Sequence, residues 1–344
     1  MRNLVPVRNL LFDPRPKSSR KELFDREKQL EALDRSIGKP LILVLGIRRI
    51  GKSSLLLSFL ENWKGVYIDL RGVRNTADLY RKISEGLTGS LAKLRDVIKG
   101  ISGVKIAGVE VTLKWRGVDS ISLPRLIEQL TKKQTVVFVL DEIQELRPPL
   151  SFELKNTIAY AYDNLPNCTF VLSGSQIGLL KDFVGVDNPE SPLFGRYYTE
   201  VRVERFTKEQ SREFLQRGFG ELKQSVERSV IEKGVALFDG IPGWLVHYGM
   251  SYVERKNYDE ILEIAINTAR NELLKLNQRE KQVAKAIANG AKSWSSVRKL
   301  IEEKSGEIIP KSTLTRTIKA LEKLSIIQDY RFLDPVYQLA AKLL

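Results

Sequence analysis

Over the first two hundred positions, short apolar runs alternate with stripes at helical spacing; beyond them, helical stripes dominate. Leu41–Leu45, Gly65–Leu70, Thr135–Leu140 and Thr169–Leu172 have strand length and little polar alternation, the pattern of strands covered on both faces. Helical spacing marks Ser53–Asn62, Asn75–Leu87, 122–133 and Leu150–Leu165, and an earlier stripe runs from Phe24 through Leu30 and Leu33 to the glycine and proline at 38–40. Strands alternating with helices predict an α/β fold with a mostly parallel sheet. Val104, Ile106, Val109, Val111, Leu113 and Trp115 alternate around Gly108, which predicts an inserted hairpin.

The pattern changes after about residue 204. Thr207 with Gln210 makes a capping box, and helical spacing continues to about 275, broken by Gly240-Ile241-Pro242-Gly243. Asn277 with Glu280 opens a last unit. There Val283, Ile287, Trp294, Val297, Leu300 and Ile301 form apolar stripes, and a third helix starts near Ser312 after Pro310. Leu314, Ile318 and Leu321 face inward on that helix, leaving Thr315, Arg316, Lys319 and Lys323 outward. Ser325–Leu333 and Val336–Leu339, with Asp334-Pro335 between them, predict a two-stranded wing. The expected organisation is a basic arm (1–22), a nucleotide-binding core (23–204), a helical lid (205–275) and a winged helix-turn-helix (276–344).

The chemistry begins where the first strand ends. Gly46-Ile47-Arg48-Arg49-Ile50-Gly51-Lys52-Ser53 fits the phosphate-binding pattern G-x-x-x-x-G-K-[ST] without a gap, and Ser54 continues into a helix. The glycines let backbone N–H groups and the helix N-terminus surround an anion, Lys52 can reach the β- and γ-phosphates, and the Ser53 hydroxyl can bind Mg²⁺. A chance match has odds of roughly 1–2% over the chain. A second element is Val136-Val137-Phe138-Val139-Leu140-Asp141-Glu142, a buried strand that delivers two carboxylates to the same sheet edge. Asp141 is expected in the Mg²⁺ shell and Glu142 at the attacking water. Ser173-Gly174-Ser175 ends the next strand as either a contact to the γ-phosphate or the water, or an ordinary turn. Arg196, in the constrained turn Ser191–Arg196, is either a surface residue or a cation for the γ-phosphate, in cis or from a neighbouring subunit.

Composition narrows the partners. Lys and Arg number 56 against 42 Asp and Glu, a net charge of +14 with a pI near 9.6. Such an excess favours a polyanion, nucleic acid first and an acidic membrane surface second, over solubility or heat tolerance alone. Arg2, Arg8, Arg15, Lys17, Arg20 and Lys21, with Pro6, Pro14 and Pro16, make the arm extended and basic. One cysteine, Cys168, excludes an internal disulfide, and with one histidine, His247, the composition argues against a His-metal hydrolase and Ser–His or Cys–His catalysis. His247 reads as packing beside Tyr248. No membrane-length apolar stretch or signal-peptide core is present, so a cytoplasmic location is expected. Residues 271–344 hold fourteen Lys and Arg against eight Asp and Glu, an excess about twice as dense as the chain average. That supports duplex DNA on the third helix, through Lys311, Thr315, Arg316 and Lys319, although winged helices also dock proteins.

Taken together, these segments resemble the archaeal ATPase family of the STAND/MNS group within the AAA+-like P-loop ATPases. Phe24-Asp25-Arg26-Glu27 with Leu30 is similar to the family's F-x-x-R-E-x-x-L opening. The P-loop with Arg48-Arg49, Asp141-Glu142-Ile143-Gln144, Pro192-Leu193-Phe194-Gly195-Arg196 and Gly240-Ile241-Pro242 follow in the family's order. The resemblance implies contacts of Arg26 near the nucleotide base, Pro242 in a lid element packing on adenine, and a phosphate-sensing Arg196. Ile50 and Ser53 depart mildly from the usual loop. No N-K-x-D motif is present, which favours ATP over GTP. The expected activity is Mg²⁺-dependent ATP hydrolysis coupled to movement of the winged helix. Two alternatives stay open: an ATP/ADP-gated switch acting on protein partners with little turnover, and a replication-initiator-like homo-oligomeric ATPase on duplex DNA.

Overall fold

The computed structural model describes residues 10–344 except Glu307. Arg2, Pro6 and Arg8 of the basic arm lie outside the described residues. The core runs α1 (Glu27–Asp34), β1 (Leu41–Leu45), α2 (Lys52–Phe59), β2 (Gly65–Asp69), α3 (Thr76–Gly89), α4 (Leu91–Ile98), β3 (Val104–Ala107) and β4 (Glu110–Leu113). It continues through α5 (Leu123–Thr131), β5 (Val136–Asp141), α6 (Leu150–Asn164), β6 (Cys168–Gly174), α7 (Ile177–Val184) and β7 (Thr199–Arg202). The lid contains α8 (Lys208–Glu221), α9 (Arg228–Phe238), α10 (Pro242–Arg255) and α11 (Tyr258–Leu273). The C-terminal unit contains α12 (Gln278–Ala288), α13 (Trp294–Ser305), α14 (Lys311–Lys323), β8 (Ile327–Gln328), β9 (Arg331–Phe332) and α15 (Pro335–Ala341).

The five-stranded sheet has the order β2-β5-β6-β1-β7, and every neighbouring pair is parallel. Its inner strands are buried throughout and mostly apolar because both faces are covered. Leu41, Leu43, Leu45, Phe138, Leu140, Phe170 and Leu172 point to one core with α3 to α7. Ile42, Val44, Val137, Val139 and Val171 point to the other, against α1 and α2. The predicted hairpin is present as β3 and β4. Sequence patterning missed α4, α7 and β7. Only Val201 is buried in Thr199-Glu200-Val201-Arg202, so this edge strand carries almost no apolar signal.

The lid and the C-terminal unit share one hydrophobic core, which also takes in Leu11, Phe12 and Phe24. Ile261, Ala265, Ala269 and Leu273 recur every fourth residue and bury one side of α11, where α15 packs. The wing differs from expectation. The hairpin lies wholly within Ile327–Phe332, turning through Asp329 and Tyr330 at φ of +49° and +58°. Val336–Leu339 is helical rather than a second wing strand. Asp334 accepts bonds from the N–H groups of Val336 and Tyr337, and Pro335 occupies the first turn. Cap and proline together outweigh the strand preference of Val-Tyr. Among the described residues, no helix is long and apolar enough to cross a membrane.

The described part of the arm is anchored. The Leu11 N–H donates to Glu221 at 2.7 Å. Phe12 is fully buried against Phe219, at a ring separation of 5.1 Å. It sits between Gly218 and Gly249, where a Cβ on either glycine would come within 2.3 Å of the ring. Phe12→Ala should therefore destabilise the lid by ~3–5 kcal/mol. Chemical denaturation followed by tryptophan fluorescence checks this, and a shift below 1 kcal/mol (about the scatter of surface substitutions) would mean that the arm is not part of the core.

Candidate active site

The loop between β1 and α2 owes its shape to two glycines with different duties. A Cβ on Gly46 would lie 2.8 Å from Ile50 Cγ2 and 2.9 Å from the Val203 carbonyl, so close approach excludes a side chain. Gly51, at φ +96°, turns the chain into α2 in a conformation open to glycine. Lys52 follows, 5% exposed, with Nζ donating to the carbonyls of Gly46 and Ile47 at 2.8 and 3.0 Å. Burial lowers its pKa to about 8, against the opposing pull of Glu142 and Asp141.

Three oxygen groups converge beside it. The Ser53 hydroxyl and the Tyr67 hydroxyl each donate to Asp141 Oδ2 at 2.6 Å, and Asp141 is 1% exposed at the end of β5. Burial first, then the Asp141 charge, pushes the Tyr67 phenol up, so it stays a donor. Ser53 and Asp141 form a hard-oxygen donor pair suited to a small divalent cation that shares its shell with phosphates and water. Glu142 lines the cleft from the next position, at φ +55°.

The cleft itself is a cavity of about 510 Å³, within the usual range for small-molecule sites. The stretch Arg49–Ser54 and Glu142 form its polar end. Phe24, Phe206, Phe214, Pro242, Val246 and Met250 supply apolar surface. Leu11 and Pro14–Lys17 of the arm also line it, as does His247. His247 therefore does more than pack beside Tyr248: it borders the cleft edge-on to Trp244, and burial lowers its pKa. Proline and charge patterning placed the arm but held no signal for its position, which depends on Phe12.

Arg26 is 6% exposed and lies over the Phe206 ring at 4.4 Å, donating to the carbonyls of Ile50 and Glu204. Burial lowers its pKa to about 10. Pro242 opens α10, and the Gly243 N–H donates to the Arg49 carbonyl at 2.9 Å, bringing the lid onto the loop. The side chains of Arg48 and Arg49 meet Glu272 of α11 at 2.6 and 2.5 Å. Arg49 also lies 4.0 Å over Trp244, whose indole N–H donates to Asp334 at 2.7 Å. Tyr337 of α15 donates to Glu272. The loop tip is thus in contact with both the lid and the C-terminal unit.

Arg196 is not brought to the cleft. Its guanidinium pairs with Asp163 at 2.6 Å and donates to the Pro192 carbonyl. Lys311, Thr315, Arg316 and Lys319 line a shallow groove on α14, although Thr315 Oγ1 also accepts the Trp294 indole N–H at 3.2 Å. Among the described residues, no ion pair engages Lys311, Arg316 or Lys319.

The model of one family, an ATPase domain predominantly from Archaea, matches residues 23–248. The chain belongs to that archaeal ATPase family. A second model, the C-terminal winged helix-turn-helix domain of MCM proteins, matches residues 276–340. Among solved structures, a Walker-type ATPase of Pyrococcus abyssi shares 35% identity over 96% of this chain and 99% of its own, with a TM-score of 0.83. The ORC2 protein of Aeropyrum pernix, solved as ADPNP–ADP complexes, shares 16% identity over 92% of this chain and 90% of its own, with a TM-score of 0.60, a likeness of fold alone. The search of curated proteins finds no match. The chain thus combines a P-loop NTPase core with a C-terminal winged helix, and it is an ATP hydrolase that binds nucleotide.

Lys52 yields a pH signature. An anion on the loop favours the ammonium form, so binding takes up a proton wherever the free side chain has lost one. Below the lowered pKa of about 8 the charge is present, and above it the charge is lost. ATP affinity should be level up to that pH and then fall by as much as ~10-fold per unit. Fluorescent-nucleotide titrations from neutral to alkaline pH check this, and Lys52→Ala should lose the binding itself. A level profile past pH 9 would mean that the ammonium is not read by phosphate.

Proposed function

We propose that this chain is a cytoplasmic Mg²⁺-dependent ATPase that couples hydrolysis to the position of its winged helix, and that the winged helix contacts duplex DNA. The observation that carries the reading is Glu272. Its carboxylate joins Arg48 and Arg49 of the phosphate loop to Tyr337 of the C-terminal unit. A loop that reshapes around phosphates would change what Glu272 holds, and so how the winged helix sits.

In this reading Lys52 and the loop amides bind the β- and γ-phosphates, while Arg26 and Pro242 border the base end of the cleft. Ser53 and Asp141 would hold Mg²⁺, whose chemistry is to neutralise phosphate charge. Glu142, on the cleft wall, accepts a proton from the attacking water. Arg196 could act only by leaving Asp163 or by facing the site of a neighbouring copy in a homo-oligomer. Glu142→Gln should keep ATP binding and slow hydrolysis by ~10²-fold or more. Equal single-turnover rates in the variant and the parent would remove Glu142 from that role and favour a nucleotide-gated switch on protein partners.

The DNA part rests on the cations of α14. On a recognition helix, Arg316 and Lys319 would meet phosphates or base edges of the major groove. Neutralising both should weaken duplex binding and lower the log–log salt slope by ~0.9 for each lost phosphate contact. Anisotropy of wild type and Arg316→Ala/Lys319→Ala at several salt concentrations decides between a DNA face and a protein-docking face. Unchanged affinity and slope would favour the latter.

A further inference from the structure

Glu142 is held by one oxygen only. Its Oε2 accepts from the Ser175 hydroxyl at 2.9 Å, from the Ser175 backbone N–H at 3.3 Å and from the side-chain amide of Gln144. Among the described residues, no protein group donates to Oε1. Both anchors are buried, Ser175 at 3% and Gln144 at 5% exposure. Gln144 reaches Glu142 past Gly174, where a Cβ would lie 2.2 Å from the Gln144 side-chain oxygen Oε1. The end of β6 is therefore shaped to admit this amide.

Two residues beyond Ser175, the chain enters α7. The N–H of Ile177 donates to Ser325 Oγ at 2.8 Å, in the turn that follows α14. A Cβ on Gly178 would lie 2.4 Å from Lys323 Cα, and Lys323 pairs with Asp182 at 2.7 Å. The winged unit therefore rests on the start of the helix that Ser175 leads into.

We propose that Ser175 and Gln144 are positioning residues for Glu142, fixing Oε2 so that Oε1 is presented to the attacking water, and that docking of Ser325 on Ile177 keeps Ser175 in place. The proposal rests on the reading of Glu142 as the base. In the step served, the water oxygen bonds to the γ-phosphorus, the bond from that phosphorus to the bridging oxygen breaks with ADP as leaving group, and a water proton passes to Oε1. A carboxylate with one oxygen anchored has lost its rotational freedom before the reaction begins, which lowers the entropic cost of reaching the attack geometry.

The test uses the full chain, fluorescent-ATP binding and single-turnover hydrolysis. Ser175→Ala should lower kcat by ~10-fold while the ATP dissociation constant stays within about two-fold, and Ser175→Thr should restore the rate. Ser325→Gly suits the φ of +54° at that position and removes the hydroxymethyl group that accepts the Ile177 N–H. It should lower kcat in the same direction from outside the cleft. The double variant should be no slower than Ser175→Ala alone, because both changes act through one contact. If Glu142→Gln is slow but Ser175→Ala turns over like wild type, the positioning role is overturned and Glu142 keeps its own. Additive losses, or a silent Ser325→Gly, overturn the link to the winged unit. Wild type that binds ATP without hydrolysing it overturns the base reading and this one together.

Discussion

Glu272, in the last turn of α11, receives both guanidinium groups of the phosphate-loop tip and the hydroxyl of Tyr337 from α15. Burial pushes its carboxyl up, yet Arg49, the Tyr337 hydroxyl and Arg48 together hold it below the usual carboxylate range. The two arginines do not contribute equally. Arg48 is 47% exposed, so its pair belongs with surface ion pairs worth ~0–1 kcal/mol. Arg49 is 18% exposed and stacked on Trp244, where a desolvated cation–π contact adds up to ~2 kcal/mol. Arg49 therefore binds the node, and Trp244 extends it to Asp334, the residue that caps α15.

Because the lid and the winged unit share one core, a displacement at Glu272 is passed on to a body rather than absorbed by a hinge inside it. The seam lies between that body and the sheet. Its crossings include the loop tip through Glu272, the start of α7 through Ser325, and the link after β7, where Arg26 bonds the carbonyls of both Glu204 and Ile50. The first and last belong to the phosphate end of the cleft and the second to the end of β6 beside Glu142. Rearrangement at either end of the nucleotide site thus meets the winged unit directly.

What the sequence revealed follows from how local each signal was. The phosphate loop, its strand and the Asp141-Glu142 strand end are written in consecutive residues, and apolar runs marked the sheet because its inner strands are buried on both sides. Glu272, the acidic partner of Arg48 and Arg49, lies more than two hundred positions away, and nothing near it announces a role. Thr199–Arg202 was hidden by its edge position. Val336–Leu339 has the β-branched and aromatic residues of a strand, but the Asp334 cap and the proline at the first turn are equally local signals, and they decide for helix. The arm was legible as basic and proline-rich, whereas its place in the cleft follows from Phe12 filling the gap between two glycines on separate helices.

The excess of positive charge also becomes specific once the ion pairs are assigned. Arg20, Arg212 and Arg298 are held by Asp34, Glu232 and Glu302, so much of the basic composition is spent within the fold. On α14 the division is sharper. Lys323, in its last turn, is committed to Asp182 of the core, whereas Lys311, Arg316 and Lys319 stand on the groove without an acidic partner among the described residues. A polyanion on this helix would therefore lie over its first three turns, and the end nearest α7 would stay with the ATPase core. That stretch includes the N-terminal residues from which a recognition helix reaches base edges. Docking on the core and contact with a duplex then need not compete for the same side chains, so both can occur in one molecule.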